Sequence, residues 1–208
     1  MVKSSGPRKV EMELDFQNYI ESPPVTPQSM YSQACANDNI TVETWRNTWI
    51  SQAKENRKFL GGFNQYSVGQ LFGSNQHRPA ILAGSGPSLG YSGELLKDRG
   101  DIILLSCLHN FNYFEDRDIP VDYYVSLDAG PVVLEEVSEG GKHDPDWYWE
   151  RTKDKTLIAY VSSHPELIRK WRGKLYLFSC PVPDKKYEEE MEKLEPFYAH
   201  LSSGGNVL

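Results

Sequence analysis

The stretch Pro79-Ala80-Ile81-Leu82-Ala83-Gly84-Ser85-Gly86-Pro87-Ser88-Leu89-Gly90 constrains the fold most, because a short apolar run empties directly into a Gly/Ser loop followed by residues suited to a helix start. Gly84 and Gly86 let the main chain turn sharply and come close to a ligand with no side chain in between. Pro87 and Ser88 favour a first helical turn, where N–H groups without intrahelical partners point outward. Loops of this kind hold phosphate, so the expected ligand is a nucleotide or another phosphorylated molecule. The spacing departs from the dinucleotide pattern Gly-x-Gly-x-x-Gly, since Leu89 stands at the third glycine position and Gly90 comes one residue late. A P-loop is excluded by its missing Gly-Lys-Ser/Thr. The alternative reading is an ordinary strand-to-helix turn.

Similar apolar runs recur at Ile102–Cys107, Tyr123–Leu127, Leu157–Val161 and Leu175–Phe178, interleaved with helical stretches at Ser92–Asp98, Asn110–Asp116 and Pro165–Trp171. Runs without polar alternation are what strands covered on both faces look like. The expectation is a Rossmann-like, doubly wound α/β fold with a mainly parallel sheet over residues 79–208. Ligands of such sheets sit beyond the carboxyl ends of the strands. Upstream, residues 1–40 are polar, with Pro23, Pro24 and Pro27 clustered, and read as an extended arm. Thr41 is the expected cap of a helix through about Phe59 in an N-terminal helical segment, 41–78, with Val42, Trp45, Trp49 and Ala53 on one face and Gly61-Gly62 ending it. That spacing makes Trp45 and Trp49 packing residues rather than a ligand platform.

With 208 residues, 39% hydrophobic and 25% charged, the chain has the makings of one well-cored domain plus extensions. A net charge of −7 and no Lys/Arg stripe argue against nucleic acid as a partner. Met1–Tyr19 has no apolar signal core and no stretch reaches the ~20 apolar residues of a membrane span, so a cytoplasmic protein without a membrane partner is expected. Cys35, Cys107 and Cys180 lack Cys-x-x-Cys spacing, which argues against a disulfide framework or a zinc site. Cys107 and Cys180 read as buried small residues rather than nucleophiles.

The strand ends supply the candidate site: Gly84, Ser85, Gly86, Pro87 and Ser88 after the first run, His109 and Asn110 after the second, Asp128 after the third, and Ser202-Ser203-Gly204 near the chain end. Asn110 offers a donor and an acceptor to a sugar, phosphate or base, or caps the helix it begins. Asp128 suits a Mg²⁺ ion or a ribose hydroxyl, or caps the turn before Gly130. His109 serves as an acid or base, or stands as a solvated bystander. Glu135-Glu136 and Glu188-Glu189-Glu190 read as solvated helix faces.

Three pieces in combination, Gly-x-Gly-Pro-Ser-Leu at 84–89, Ile119-Pro120-Val121-Asp122 leading into Val125-Ser126-Leu127-Asp128, and the late Ser-Gly-Gly, resemble the 6-hydroxymethylpterin diphosphokinase MptE-like family, from about Pro79 onward. That family also contains the motility accessory factor (Maf) glycosyltransferases that decorate flagellin. Gly84–Leu89, Asn110–Asp116 and Ser202–Gly204 are also similar to the donor-binding segments of bacterial sialyltransferases. The resemblance implies that Gly84 to Ser88 line phosphate and sugar, Asn110 contacts the donor, Ser202, Ser203 and Gly204 close on the phosphates, and Asp128 binds metal or nucleotide. The family continues past the Ser-Gly-Gly turn with a helix and a further strand, so a homo-oligomer or a partner chain completing that end is a further expectation.

These readings converge on a transferase that binds a nucleotide-activated donor, a nucleotide sugar in the first instance, and moves its group onto a hydroxyl of a small molecule or protein. Catalysis is expected to be chiefly electrostatic, with His109 as base, Asp128 acting directly or through Mg²⁺, and no organic cofactor. The alternatives are a Mg-ATP-dependent 6-hydroxymethylpterin diphosphokinase and a non-catalytic binding protein that keeps the fold.

Overall fold

The computed structural model describes residues 27–180, 182 and 184–194. The chain divides into two compact units, Met1–Ile40 and Thr41–Leu208. Helix α1, Pro27–Leu60, belongs to both. Residues 27–39, read from sequence as part of an extended arm, are therefore helical, and Thr41 lies inside the helix instead of capping it. The reason is local: Pro27 occupies a first-turn position, where its missing N–H costs nothing, and residues 28–39 contain neither Pro nor Gly. The far end behaves as expected. Gly61 adopts φ 73°, and the Gly62 N–H closes back on the Arg57 carbonyl at 3.1 Å.

Five strands, β1 Ala80–Ala83, β2 Ile103–Cys107, β3 Tyr123–Ser126, β4 Thr156–Tyr160 and β5 Lys174–Phe178, form one all-parallel sheet in a Rossmann-like α/β arrangement. Between and after them lie α2 Leu89–Ser92, α3 Phe111–Glu115, α4 Val132–Ser138, α5 Pro145–Arg151, α6 Pro165–Lys170 and α7 Lys185–Leu194. A doubly wound sheet reverses its strand order at a switch point. Here the order runs β1-β2-β3-β4-β5 with no reversal among the described strands, so side chains rather than a topological crevice must locate the site.

The two faces of the sheet are covered differently. Below lie the crossover helices, with Phe111 of α3 packed 4.9 Å from Tyr124 of β3 and 5.9 Å from Trp171 between ring centroids. On the opposite face the Tyr160 hydroxyl of β4 bonds that of Tyr187 in α7, and Trp49 of α1 meets Tyr187 edge-on at 6.1 Å. From residue 41 onward α1 is tied across the carboxyl ends of the strands: Gln52 donates to the Ala129 carbonyl at 3.0 Å, and Asn56 to the carbonyls of Val161 and Ser163 at 3.0 and 2.8 Å. Ala53, fully buried, lets the helix come this close.

Beneath the sheet, Gly173 opens β5 against the turn before β4. A β-carbon there would sit 2.1 Å from the Lys155 carbonyl oxygen and 2.3 Å from that of Thr152, both main chain and unable to swing aside. Gly173→Ala is expected to destabilise the fold by about 2–3 kcal/mol, the upper part of the range for overpacking. A lower urea midpoint at unchanged slope would show it.

Candidate functional site

Residues Gly84–Ser88 leave β1 as a fully exposed loop. Neither Gly84 nor Gly86 takes a left-handed φ, so the turn itself does not require glycine. A β-carbon at Gly84 would meet nothing within 4 Å, and one at Gly86 only the Ser88 hydroxyl at 3.9 Å. The missing side chains thus leave room outside the loop, and the expected sharp turn is not their reason. Turn bonds use the N–H groups of Leu89 and Gly90, whereas those of Ser85, Gly86 and Ser88 have no partner among the described residues. Ser88 starts α2 without capping it by its hydroxyl, and α2 is only four residues long. The loop therefore leaves three N–H groups without a partner among the described residues, ahead of a helix too short to add much of a dipole.

Asn110 does not cap the helix it begins: its side chain makes no cap bond to α3. The buried Nδ2 donates instead to the carbonyls of Ala83 and Gly84, each at 3.2 Å, and lies 3.1 Å from the Ser106 hydroxyl. It braces the root of the Gly84–Ser88 loop from the neighbouring strand end. Asn110→Ala is expected to lower stability by about 1–3 kcal/mol and to weaken nucleotide binding together with it, because the loop loses its anchor. Asn110→Asp should be no better, since it replaces the two N–H donors with a carboxylate oxygen facing carbonyl oxygens. Melting curves and titration calorimetry read the two effects separately.

Asp128 is exposed and forms the turn expected of it, its Oδ1 accepting the Gly130 N–H at 2.7 Å. Oδ2 accepts no bond among the described residues. The Trp45 ring of α1 closes over the same turn, with its Cη2 3.7 Å from where a Gly130 β-carbon would be. Trp45 thus lines the site, while Trp49 packs into the core. Among the described residues no three His, Cys, Asp or Glu side chains gather as a metal cage. A single free carboxylate oxygen still fits Mg²⁺ arriving on a nucleotide, because that ion keeps several waters and takes only one or two protein carboxylates.

His109 lies in the 3₁₀ turn after β2, with its Nδ1 3.3 Å from Oε1 of Glu136 in α4. The Glu136 side chain is only 18% exposed, against 65% for His109. Its carboxyl is pushed above the ordinary carboxylate range by burial, opposed by His109 and reinforced by the charge of Asp128. The reading of Glu135-Glu136 as a solvated face holds for Glu135 and fails for Glu136. A helical signal was there to be used: Val133 and Val137 are both fully buried, and Glu136, three residues from Val133, belongs to the same stripe. Burial likewise pushes the Cys107 thiol up, although the Ser85 hydroxyl beside it partly offsets this, so the thiol is protonated and a poor nucleophile.

Asn110 after β2 thus touches the root of the loop after β1, and His109 after β2 bonds Glu136, whose carboxyl also feels the charge of Asp128 after β3. Ser202, Ser203 and Gly204 lie outside the described residues. The model of the 6-hydroxymethylpterin diphosphokinase MptE-like family matches residues 48–208. The chain belongs to that family. The MptE-like match takes in the loop, the brace, the His109–Glu136 pair and Asp128, and it starts within α1, upstream of the Pro79 expected from the motifs. Membership in it points to a group-transfer role, transferase-like or kinase-like. A comparison with curated proteins found no match. No helix among the described residues is long and apolar enough to cross a membrane.

Proposed function

We propose that this protein is a transferase that binds a nucleotide-activated donor, a nucleotide sugar in the first instance, on the Gly84–Ser88 loop and moves its group onto a hydroxyl. The observation that carries this reading is the trio of unpartnered N–H groups at Ser85, Gly86 and Ser88, exposed at a loop whose root Asn110 holds, with His109 and Asp128 following the next two strands. Donors fixed before the reaction stabilise the charge that builds on a leaving phosphate without having to reorganise. His109 takes the proton of the attacking hydroxyl. A Mg²⁺ ion arriving on the donor phosphates would be held by Asp128 and would neutralise part of their charge, although this reading does not require it. The Trp45 ring walls the side on which the acceptor enters.

The second reading, diphosphoryl transfer from Mg-ATP to a pterin alcohol, is favoured by the family's description. It uses the same loop and makes metal obligatory. A thermal-shift panel of CMP-, UDP- and GDP-sugars, ATP with and without Mg²⁺, and pterins separates the readings. At 100 times its dissociation constant a bound donor adds about 2.7 kcal/mol, or about 5–10 °C for a chain of this size. A metal-independent shift with one nucleotide sugar supports the first reading. A shift confined to Mg-ATP, increased by a pterin, supports the second. No shift with any of them overturns the proposal.

A further inference from the structure

We infer that Glu136 is the positioning residue of a Glu136–His109 pair that presents the His109 Nε2 as the proton acceptor for the attacking hydroxyl, an inference that rests on the transferase reading above. The geometry is specific. A carboxylate accepts only, so its bond to His109 places the ring proton on Nδ1 and leaves Nε2 bare and directed away from α4. Both partners stand on fixed backbone. His109 is flanked by the buried Leu108 and Asn110, the latter also bonded to the β1 loop, and Glu136 lies between the fully buried Val133 and Val137. An exposed ring thus has one nitrogen held and the other free, the arrangement a base needs when a third group orients it.

Other charged and titratable groups face the pair from each neighbouring element. Cys107 approaches Glu136 from β2, and Asp128 approaches it from the turn after β3. Asp128 repels the Glu136 carboxylate, and a protonated His109 relieves that repulsion. The hydroxyl proton passes to Nε2 while the hydroxyl oxygen forms its bond to the transferred group and the donor phosphate leaves with the bond electrons.

The test reads the ring directly and needs no substrate. Long-range ¹H–¹⁵N spectra of the full chain, with the His109 signals identified by their loss in His109→Asn, should show the neutral ring protonated on Nδ1. Glu136→Gln, whose amide oxygen still accepts, should keep that tautomer. Glu136→Ala should shift it toward the Nε2-protonated form usual for an unheld imidazole. With a donor found in the panel above, Glu136→Ala should lower turnover about 10- to 100-fold at unchanged donor affinity, within the range for one acid–base group, and Glu136→Gln should recover part of it. An unchanged tautomer in Glu136→Ala would overturn the positioning role, as would unchanged turnover. A tautomer that moves in a protein transferring nothing would leave the pair standing and remove the transferase reading instead.

Discussion

Gly86→Val is expected to abolish measurable nucleotide binding, a loss of at least about 100-fold, while the protein melts within about 2 °C of the parent. The two halves of this result have separate causes. Stability should hold because Gly86 is exposed, has no left-handed φ, and would place a β-carbon no nearer to any group than 3.9 Å. Surface changes of this kind stay within about 0.5 kcal/mol, or roughly 2 °C here. Binding should fail because a branched side chain stands in the open space through which a phosphate reaches the N–H groups of Ser85, Gly86 and Ser88. Calorimetric titration with the donor identified by the thermal-shift panel checks it. Unchanged affinity in the folded variant would remove the loop from the site.

Glu115→Ala is expected to be the most damaging single change to the fold, at about 3–5 kcal/mol. The Glu115 side chain is 1% exposed and receives Lys155 Nζ at 2.6 Å and Arg151 Nε at 2.9 Å. It also accepts the hydroxyl of the fully buried Tyr124 at 3.1 Å. Removing it leaves the Lys155 ammonium, itself only 14% exposed, without its carboxylate, while Arg151 keeps Asp118 at 3.0 Å. A fall in melting temperature of about 6–20 °C follows from that loss. Pairing Glu115→Leu with Lys155→Met should recover much of it, because a buried ion pair replaced by packed apolar side chains is often neutral. If Glu115→Ala melted like the parent, the charge network would be shown to carry no stability.

Strand positions were legible in the chain because each apolar run is bounded by turn-forming or polar residues. All five expected runs match β1 to β5 to within one residue at each end. Helices were read less evenly. Val132–Ser138 and Pro145–Arg151 are only seven residues each, too short for a 3.6-residue period to declare itself, and tertiary packing holds them. Residues 27–39 misled in the other direction, since a proline cluster looks like an interruption and Pro27 is instead a beginning.

Sequence alone determined the parallel α/β class, the exposed Gly/Ser loop after β1 and the list of strand ends where chemistry has to be sought. Those features follow from local composition, which sets whether a segment is buried on two faces or turns in the open. Only the tertiary structure decided what the residues at those ends do. Asn110 became a brace because β1 and β2 are register neighbours, with Ala83 opposite Ser106. Glu136 left the solvent because α4 packs beside the turn that carries His109, 27 residues away along the chain. Contacts of that range depend on how strands and helices stack, and no window of sequence contains both partners.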